Sequence, residues 1–430
     1  MNSMSEKLQT RKLRIAVIGA GIAGLASAWF LSRKHSISLF EANHYAGGHT
    51  NTVDVTLEGL QAPVDTGFLV FNERTYPNLL SLFSELGVRH HKSQMSFSVS
   101  MDGGEMEWAG NNLQTLFAQK RNLFSPAFLG MVKDILRFNR ASALYEAEAG
   151  EMTLGELLDK HRYGNMFADC YLLPMAASIW SSPAEEIKQF PAVSFIRFCQ
   201  NHGLLQIMNR PQWYTVSGGG REYVRHIVDQ LGDVRLSMPV TGVSRRDDKV
   251  LVSTANHVET FDAVVMATHA PTSLRLLDDA DEQERQVLGA VRYQKNLAWL
   301  HTDTRLLPKR RSLWSAWNYL GGQQLPGALP VCVSYLINQL QPLPFKSPVI
   351  VTLNPFFEPE KTSQLASFEY EHPVMDSAAL RAQRSLPSIQ GKGHIWHAGA
   401  WTGYGFHEDG LKSALRVASA FDVLPEWARL

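Results

Sequence analysis

A turn built on three spaced glycines leaves this chain few folds to choose from. Gly19-Ala20-Gly21-Ile22-Ala23-Gly24 follows a β-branched apolar run, Leu13 to Ile18, and opens a helix-forming stretch, Ile22 to Ser32. Ile37 to Phe40 reads as the next strand, so the segment is a βαβ unit. Each glycine has its own reason. Gly19 allows the sharp exit from the strand, Gly21 lets the backbone approach a diphosphate, and Gly24 lets helix and sheet pack closely. Unpaired N–H groups at the helix start, among them those of Ile22 and Ala23, face the diphosphate, and Glu41 at the end of the second strand can accept hydrogen bonds from a ribose. The expectation is a buried parallel sheet that holds a dinucleotide.

At 430 residues the chain exceeds what one hydrophobic core supports, and its 45% hydrophobic content excludes disorder as the main state. Forty-one basic residues balance forty-one acidic ones, so no net field attracts a polyanion, and no nucleic-acid partner is expected. Cys170, Cys199 and Cys332 form no C-x-x-C, which leaves neither a disulfide framework nor a zinc ribbon to read. The basic residues Lys7, Arg11, Lys12 and Arg14 before an apolar run copy a signal peptide, but Gly19, Gly21 and Gly24 interrupt it and no cleavage site follows. A cytoplasmic protein, with at most a peripheral contact at the inner membrane face, is expected.

Further along, Arg235 to Ser237, Val240 to Val243, Val250 to Ser253 and Phe261 to Ala267 read as short strands. Leu113 to Ala149 and Leu154 to Phe195 read as mostly helical, and Ser125-Pro126 has the form of an N-cap followed by proline. His394 and His397 point to opposite faces if both lie on one strand, and His90-His91 diverge as neighbours, so no metal site is expected. No H-E-x-x-H, G-x-S-x-G or Walker loop supports a hydrolase or nucleotide triphosphatase.

The βαβ unit alone does not separate NAD from FAD. The segments that do so begin after Glu41, where Gly47-Gly48-His49-Thr50 resembles the second diphosphate loop of the flavin amine oxidase superfamily, which includes protoporphyrinogen oxidases and phytoene desaturases. His49 stands where those proteins usually have Arg, and would carry a charge only with a raised pKa. Ile395 to Phe421 resembles the superfamily's C-terminal flavin segment: a strand ending in Ala398-Gly399, then Ala400, a glycine-rich loop and a helix. Ser217 to Gly220 with Tyr223-Val224, Val240, and Val264 to Ala270 resemble further motifs of the same superfamily in the same order.

The resemblance implies an α/β fold: a Rossmann-like FAD-binding lobe, of the glutathione-reductase and amine oxidase type, interleaved with an α+β substrate or cap lobe. The FAD lobe is expected from residues 1–75, 215–285 and 385–430, and the cap from 76–214 and 286–384. FAD, held without a covalent bond, is the implied cofactor. Its implied contacts are Gly19, Gly21, Ile22, Ala23, Gly24, Glu41, Gly47, Gly48, His49, Thr66, Gly67, Phe68, Val240, Gly399, Ala400, Asp409, Gly410 and Leu411. The helix N-terminus near Gly410 and Leu411 would face the flavin's pyrimidine edge. His407 and Glu408 are the candidate catalytic residues as polar groups of the pocket. The Lys that amine-oxidising relatives often place at the flavin has no equivalent motif here, and Lys295 is not tied to the ring.

A narrower resemblance rests on Val64 to Phe68, Phe71 to Pro77, Leu300 to Asp303, Trp317 to Tyr319, Thr352 to Pro355 and the Gly403 to Gly410 loop. These segments are similar to a bacterial group of NAD/FAD-binding proteins encoded beside cyclopropane-fatty-acyl-phospholipid synthases. It implies chemistry on acyl chains of membrane lipids without fixing the reaction; the working expectation is FAD-dependent desaturation, or modification of methylated or cyclopropane-type groups. Two alternatives stand: oxidation of a small amine, and a non-catalytic flavin-bearing partner of a fatty acyl methyltransferase. Leu116 to Arg140 mixes aromatic and aliphatic residues with Lys120, Arg121, Lys133, Arg137 and Arg140 against one acid, Asp134, as an interfacial helix pair would. The alternative reading of that stretch is a solvated cap of the substrate lobe.

Overall fold

The computed structural model describes residues 11–206, 211–322 and 331–430; Lys7 of the basic run lies outside them. The βαβ unit forms as the sequence requires. Strand β1 (Arg14–Ile18) is central, helix α1 (Ile22–Ser32) follows, and β2 (Ser36–Phe40) pairs parallel to β1. Two later strands, β3 (Val234–Arg235) and β4 (Ala263–Met266), and a last one, β5 (Ile395–His397), complete a five-stranded parallel sheet in the order β3-β2-β1-β4-β5. Ile15, Ala16 and Val17 have no exposed surface because the sheet is covered on both sides, which is why β1 is uniformly apolar.

The run Phe261 to Ala267 is not one strand. Val258–Phe261 ends an antiparallel three-stranded meander with Val240–Arg246 and Lys249–Thr254, and β4 starts anew at Ala263. Asp262 marks the break. Its carboxylate accepts from Arg14 N at 2.7 Å and also pairs with Lys249 Nζ, so a charged side chain is anchored between the two sheets.

The second lobe is a seven-stranded sheet. Its order runs Gln364–Pro373, Tyr293–His301, Ile350–Leu353, Cys332–Leu336, Trp317–Gly321, Phe97–Met101, Met106–Ala109. Helices cover it, the longest being Pro126–Glu148, whose start is capped by Ser125 Oγ accepting from Phe128 N at 3.3 Å. Leu116 to Arg140 is therefore not a helix pair. It is a short turn at Leu113–Leu116, a 3₁₀ turn at Lys120–Phe124, and the first part of that one long helix.

The expected lobe boundaries at 75/76 and 214/215 cut through one small sheet. Phe71–Asn72 and His90–Ser93 both pair with Trp213–Val216. The helix between them, Pro77–Leu86, is tied to the C-terminal helix His407–Ala420. Residues 77–93 thus belong structurally with the nucleotide lobe, a long-range arrangement that no local composition marks.

Candidate functional site

A cavity of about 940 Å³ runs between the two lobes. At one end it meets the carboxyl ends of β1, β2 and β4, where Ile18, Gly19, Phe40, Glu41 and Ala267 line it. Gly19 adopts φ +100°, and a Cβ there would stand 2.7 Å from Ala267 O. Gly24 is buried one helical turn on, where a Cβ would meet Gly19 O at 1.8 Å, so it serves the packing of helix on strand rather than the cavity wall. Gly21 differs from both. It caps α1 with no side-chain hydrogen bond, and a Cβ on it would meet nothing within 4 Å. Gly21, Ile22 and Ala23 all line the cavity, so an uncapped helix N-terminus opens directly into it. These features fit a diphosphate.

Glu41 lines the same end, with Val240. Its carboxylate accepts from Ala20 N at 2.7 Å and from Asn43 N at 2.9 Å, which fastens the glycine turn to the following loop. Gly47 N donates to Ala20 O at 2.8 Å, and the Cβ position of Gly48 lies 3.2 Å from Gly21 Cα, so Gly47 and Gly48 lace against the fingerprint from the other side.

His49 also lines the cavity, but not as a cation. Its ring stacks on Tyr370 at 5.1 Å and lies 5.2 Å from His372, and its Nε2 is buried without a partner. Burial, reinforced by His372 and His269, holds its pKa well below the usual histidine range. His49 therefore does not replace the positive charge of the Arg common at this position. Thr66, Gly67 and Phe68 follow the same path: Phe68 N donates to His49 O at 2.9 Å, and Thr66 Oγ1 shares a 2.7 Å hydrogen bond with Tyr370.

The middle of the cavity is bordered by Gly399, Ala400, Trp401, Tyr404, Phe406 and His407. His407 stacks face to face on Phe68 at 3.8 Å. Its Nε2 lies 2.9 Å from Thr50 Oγ1 and 3.0 Å from the Tyr223 hydroxyl, and those two hydroxyls are 2.5 Å apart. Burial lowers the His407 pKa to about 3, so it is a neutral hydrogen-bonding group at ordinary pH.

Glu408, the other candidate, is turned away. Its Oε1 accepts from Asn78 N at 3.1 Å and Asn78 Nδ2 at 2.7 Å, and its Oε2 accepts from Leu79 N at 3.0 Å. It caps the helix Pro77–Leu86 and touches only a separate side pocket of about 460 Å³. Three more expected contacts also lie outside the main cavity. The C-terminal helix begins at His407, one turn earlier than expected, so Gly410 N already donates to Phe406 O. Gly410 instead allows close packing on Ile22, Leu411 is buried in the core, and Asp409 accepts from Phe406 N at 3.0 Å to cap its own helix.

Several lining residues escaped the sequence reading. Tyr370 and His372 come from the edge strand Gln364–Pro373, and His269 stacks on Tyr293 at 4.1 Å while its Nδ1 lies 3.1 Å from Glu371 Oε2. The one available signal was the alternation Phe368, Tyr370, His372 on one strand face. The far end is apolar, walled by Phe97, Trp108, Met175, Ile179, Trp180 and Trp317 among others. Among the described residues no lysine lines the cavity, Arg275 is its only arginine, and Lys295 is exposed on the seven-stranded sheet.

Comparison with known proteins places this geometry. The model of a family described as flavin containing amine oxidoreductase matches residues 22–297. Over 284 residues the chain is 25% identical to amine oxidase [flavin-containing] A of Canis lupus familiaris, covering 60% of this chain and 50% of that protein. It thus spans about half the length of that curated relative. Two solved structures share the fold across nearly their whole length. A fatty acid isomerase from P. acnes that produces CLA superposes with TM-score 0.66 at 15% identity, covering 95% of this chain and 98% of its own. Cyclohexylamine oxidase from Brevibacterium oxydans IH-35A gives 0.67 at 16%, covering 96% and 100%.

Proposed function

We propose, from the premise that this chain belongs to the flavin-containing amine oxidoreductase family and takes FAD as its cofactor, that it oxidises an acyl chain of a membrane lipid. The observation that carries this reading is the far half of the cavity, whose wall is aromatic and aliphatic and holds no lysine among the described residues. Such a wall accepts a hydrocarbon chain, each buried methylene contributing about 0.8 kcal/mol.

Bound FAD supplies a two-electron acceptor for a C–H bond held against it. The chain's own residues do the rest. The open N-terminus of α1 and the laced loops at Gly47–Gly48 and Thr66–Phe68 hold the diphosphate end. The apolar wall excludes water from the reacting carbon. His407, fixed by Phe68, Thr50 and Tyr223, offers a neutral hydrogen-bonding edge where the polar and apolar halves meet. Desaturation would remove a hydride, for which bound FAD would be the acceptor, and a proton from the adjacent carbon, which would be released to solvent; an external oxidant would then take the two electrons from the flavin.

The test is the visible spectrum of the FAD-loaded protein under anaerobic conditions. Vesicles of bacterial phospholipid should bleach the flavin band, and primary amines should not. Bleaching by amines alone would overturn the reading in favour of a small-amine oxidase. A yellow protein that neither bleaches would also overturn it, and would support a flavin-bearing partner of a fatty acyl methyltransferase instead.

A further inference from the structure

Among the described residues, the outer side of the cap carries an exposed apolar and basic face. On the long helix Pro126–Glu148, Phe128, Met131, Phe138 and Tyr145 turn inward. The exposed stripe is Leu129, Lys133, Leu136, Arg140 and Leu144, spaced so that all five project from one side. The turns just before this helix extend the face with Leu113, Leu123 and Phe124, exposed by 74%, 46% and 86%. Lys120 and Arg121 stand among them, both exposed.

Within residues 113–144 the exposed charge is of one sign; the next acid along the stripe, Glu148, is paired with Lys160 and His161. No acidic residue occurs between Glu107 and Asp134 in the sequence. Asp134 itself is turned under the helix, where it accepts from Gly164 N at 3.0 Å and pairs with Arg137 at 3.2 Å. Arg137 in turn lies 3.9 Å over the Tyr163 ring, so the outward cations are Lys133 and Arg140 rather than Arg137. In a chain with no net charge, the stretch 113–144, with four exposed cations, six exposed large apolar side chains and no exposed acid, is a local exception. The face also adjoins the cavity. Trp108 and Gly110 line the cavity's apolar end, and the turn Leu113–Leu116 is tied back to Ala109 O by Thr115 Oγ1 at 3.1 Å.

We propose that the face formed by residues 113–144 docks on an anionic lipid bilayer, with exposed leucines and Phe124 entering the interface and Lys120, Lys133 and Arg140 meeting the headgroups. The charge complementarity selects a bilayer over a neutral apolar partner. A helix of 23 residues, on the order of 35 Å long, lies flat along such a surface. Position gives the docking a purpose, since it brings the apolar end of the cavity to the membrane. This inference rests on the lipid-substrate reading above for its purpose, but its test does not.

The experiment is co-sedimentation of the full, FAD-loaded chain with vesicles of phosphatidylglycerol and phosphatidylethanolamine, against vesicles of phosphatidylcholine alone. Binding should require the anionic lipid and be released by 0.5 M salt on the order of a Debye length of 4 Å. Lys133→Glu with Arg140→Glu should lower the partition by at least roughly thirtyfold, at about fivefold per charge neutralised. Phe124→Ser with Leu129→Ser should weaken it with the flavin spectrum and melting temperature unchanged. Equal binding to both vesicle types, no binding to either, or charge-reversed protein that sediments like the parent would overturn the proposal. So would a dimer in solution that Phe124→Ser dissolves. Bleaching by detergent-dispersed lipid separates the two ideas. Sedimentation without bleaching would leave docking standing and sink the substrate reading, and bleaching without sedimentation would do the reverse.

Discussion

Gly21 and Gly24 belong to one motif, yet the structure gives them opposite duties, and paired substitutions separate them. A Cβ at Gly24 would lie 1.8 Å from Gly19 O and 2.9 Å from Gly19 C. Relieving it requires the helix to move off the strand by about 1.5 Å, and overpacking of this kind costs about 3 kcal/mol or more. That is a large part of a domain's margin of 5–15 kcal/mol, so Gly24→Ala should lower the melting temperature by several degrees. Gly21 sits at φ −72°, ψ −179°, a conformation open to any residue, with nothing within 4 Å of its Cβ position. Gly21→Glu should therefore leave the melting temperature of cofactor-free protein nearly unchanged. Its side chain projects into the cavity at the helix N-terminus, where a like charge beside the diphosphate costs about 3 kcal/mol, a Kd raised roughly a hundredfold. The assays are calorimetry of the stripped proteins and titration of each with FAD, followed by flavin fluorescence. Gly21→Glu protein that purified fully yellow, or Gly24→Ala protein as stable as the parent, would refute the division of labour.

Glu408→Ala should cost about 2–3 kcal/mol by orphaning Asn78 N and Leu79 N, with the rate of flavin bleaching unaltered in the folded fraction; a selective loss of rate would restore it as a catalytic residue. Ile179→Trp should shorten the apolar end of the cavity, sparing short acyl substrates and slowing long ones, and equal slowing of both in single-turnover bleaching would remove the wall from the argument. Stability should fall in acid. His202, His301 and His372, lowered to about 4 by burial, and His397 and His407, lowered to about 3, stay neutral when folded and protonate on unfolding below pH 6.5. Asp65 and Asp409, raised to about 6 by burial, act in the opposite sense between pH 4 and 6. Five against two leaves about three protons near pH 5, or about 4 kcal/mol per pH unit, so the melting temperature should drop from pH 6.5 to 4.5; a flat profile by calorimetry would contradict the burial of these rings.

What was legible in the sequence is what is local. The strand, turn and helix of residues 14–32 are written in contiguous residues whose neighbours are their own partners, so the glycine spacing carries both fold and cofactor. The end of the chain was legible in order but not in register. The helix starts at His407 because Asp409 caps it by accepting from Phe406 N; Gly399 and Ala400 line the cavity as expected, and one turn of error added Asp409, Gly410 and Leu411 to them. Glu408 was misread for a physical reason as well. On a helix, adjacent residues diverge by about 100°, so His407 facing the cavity turns Glu408 from it. The Tyr370–His372 wall was illegible because an edge strand some 350 residues from the fingerprint supplies it, and only the folded sheet brings it to His49.

The electrostatics of the cavity bear on which substrate class it can hold. An ammonium drawn out of water needs a carboxylate free to meet it, since the desolvation of an unpaired charge costs several kcal/mol. The cavity has two carboxylates among its described lining residues, Glu41 and Glu371. Glu41 is already engaged by Ala20 N and Asn43 N at the nucleotide end, and Glu371 by His269. The histidines that border the middle, His49, His372 and His407, are all held neutral by burial, so they neither repel nor neutralise a cation. A cationic substrate would have to be met by Glu371 beside His269, whereas a hydrocarbon chain against Trp108, Ile179 and Trp317 needs no charged partner. The apolar end would suit removal of hydrogen from an unactivated carbon, where the wall's task would be to hold the chain still and keep water out.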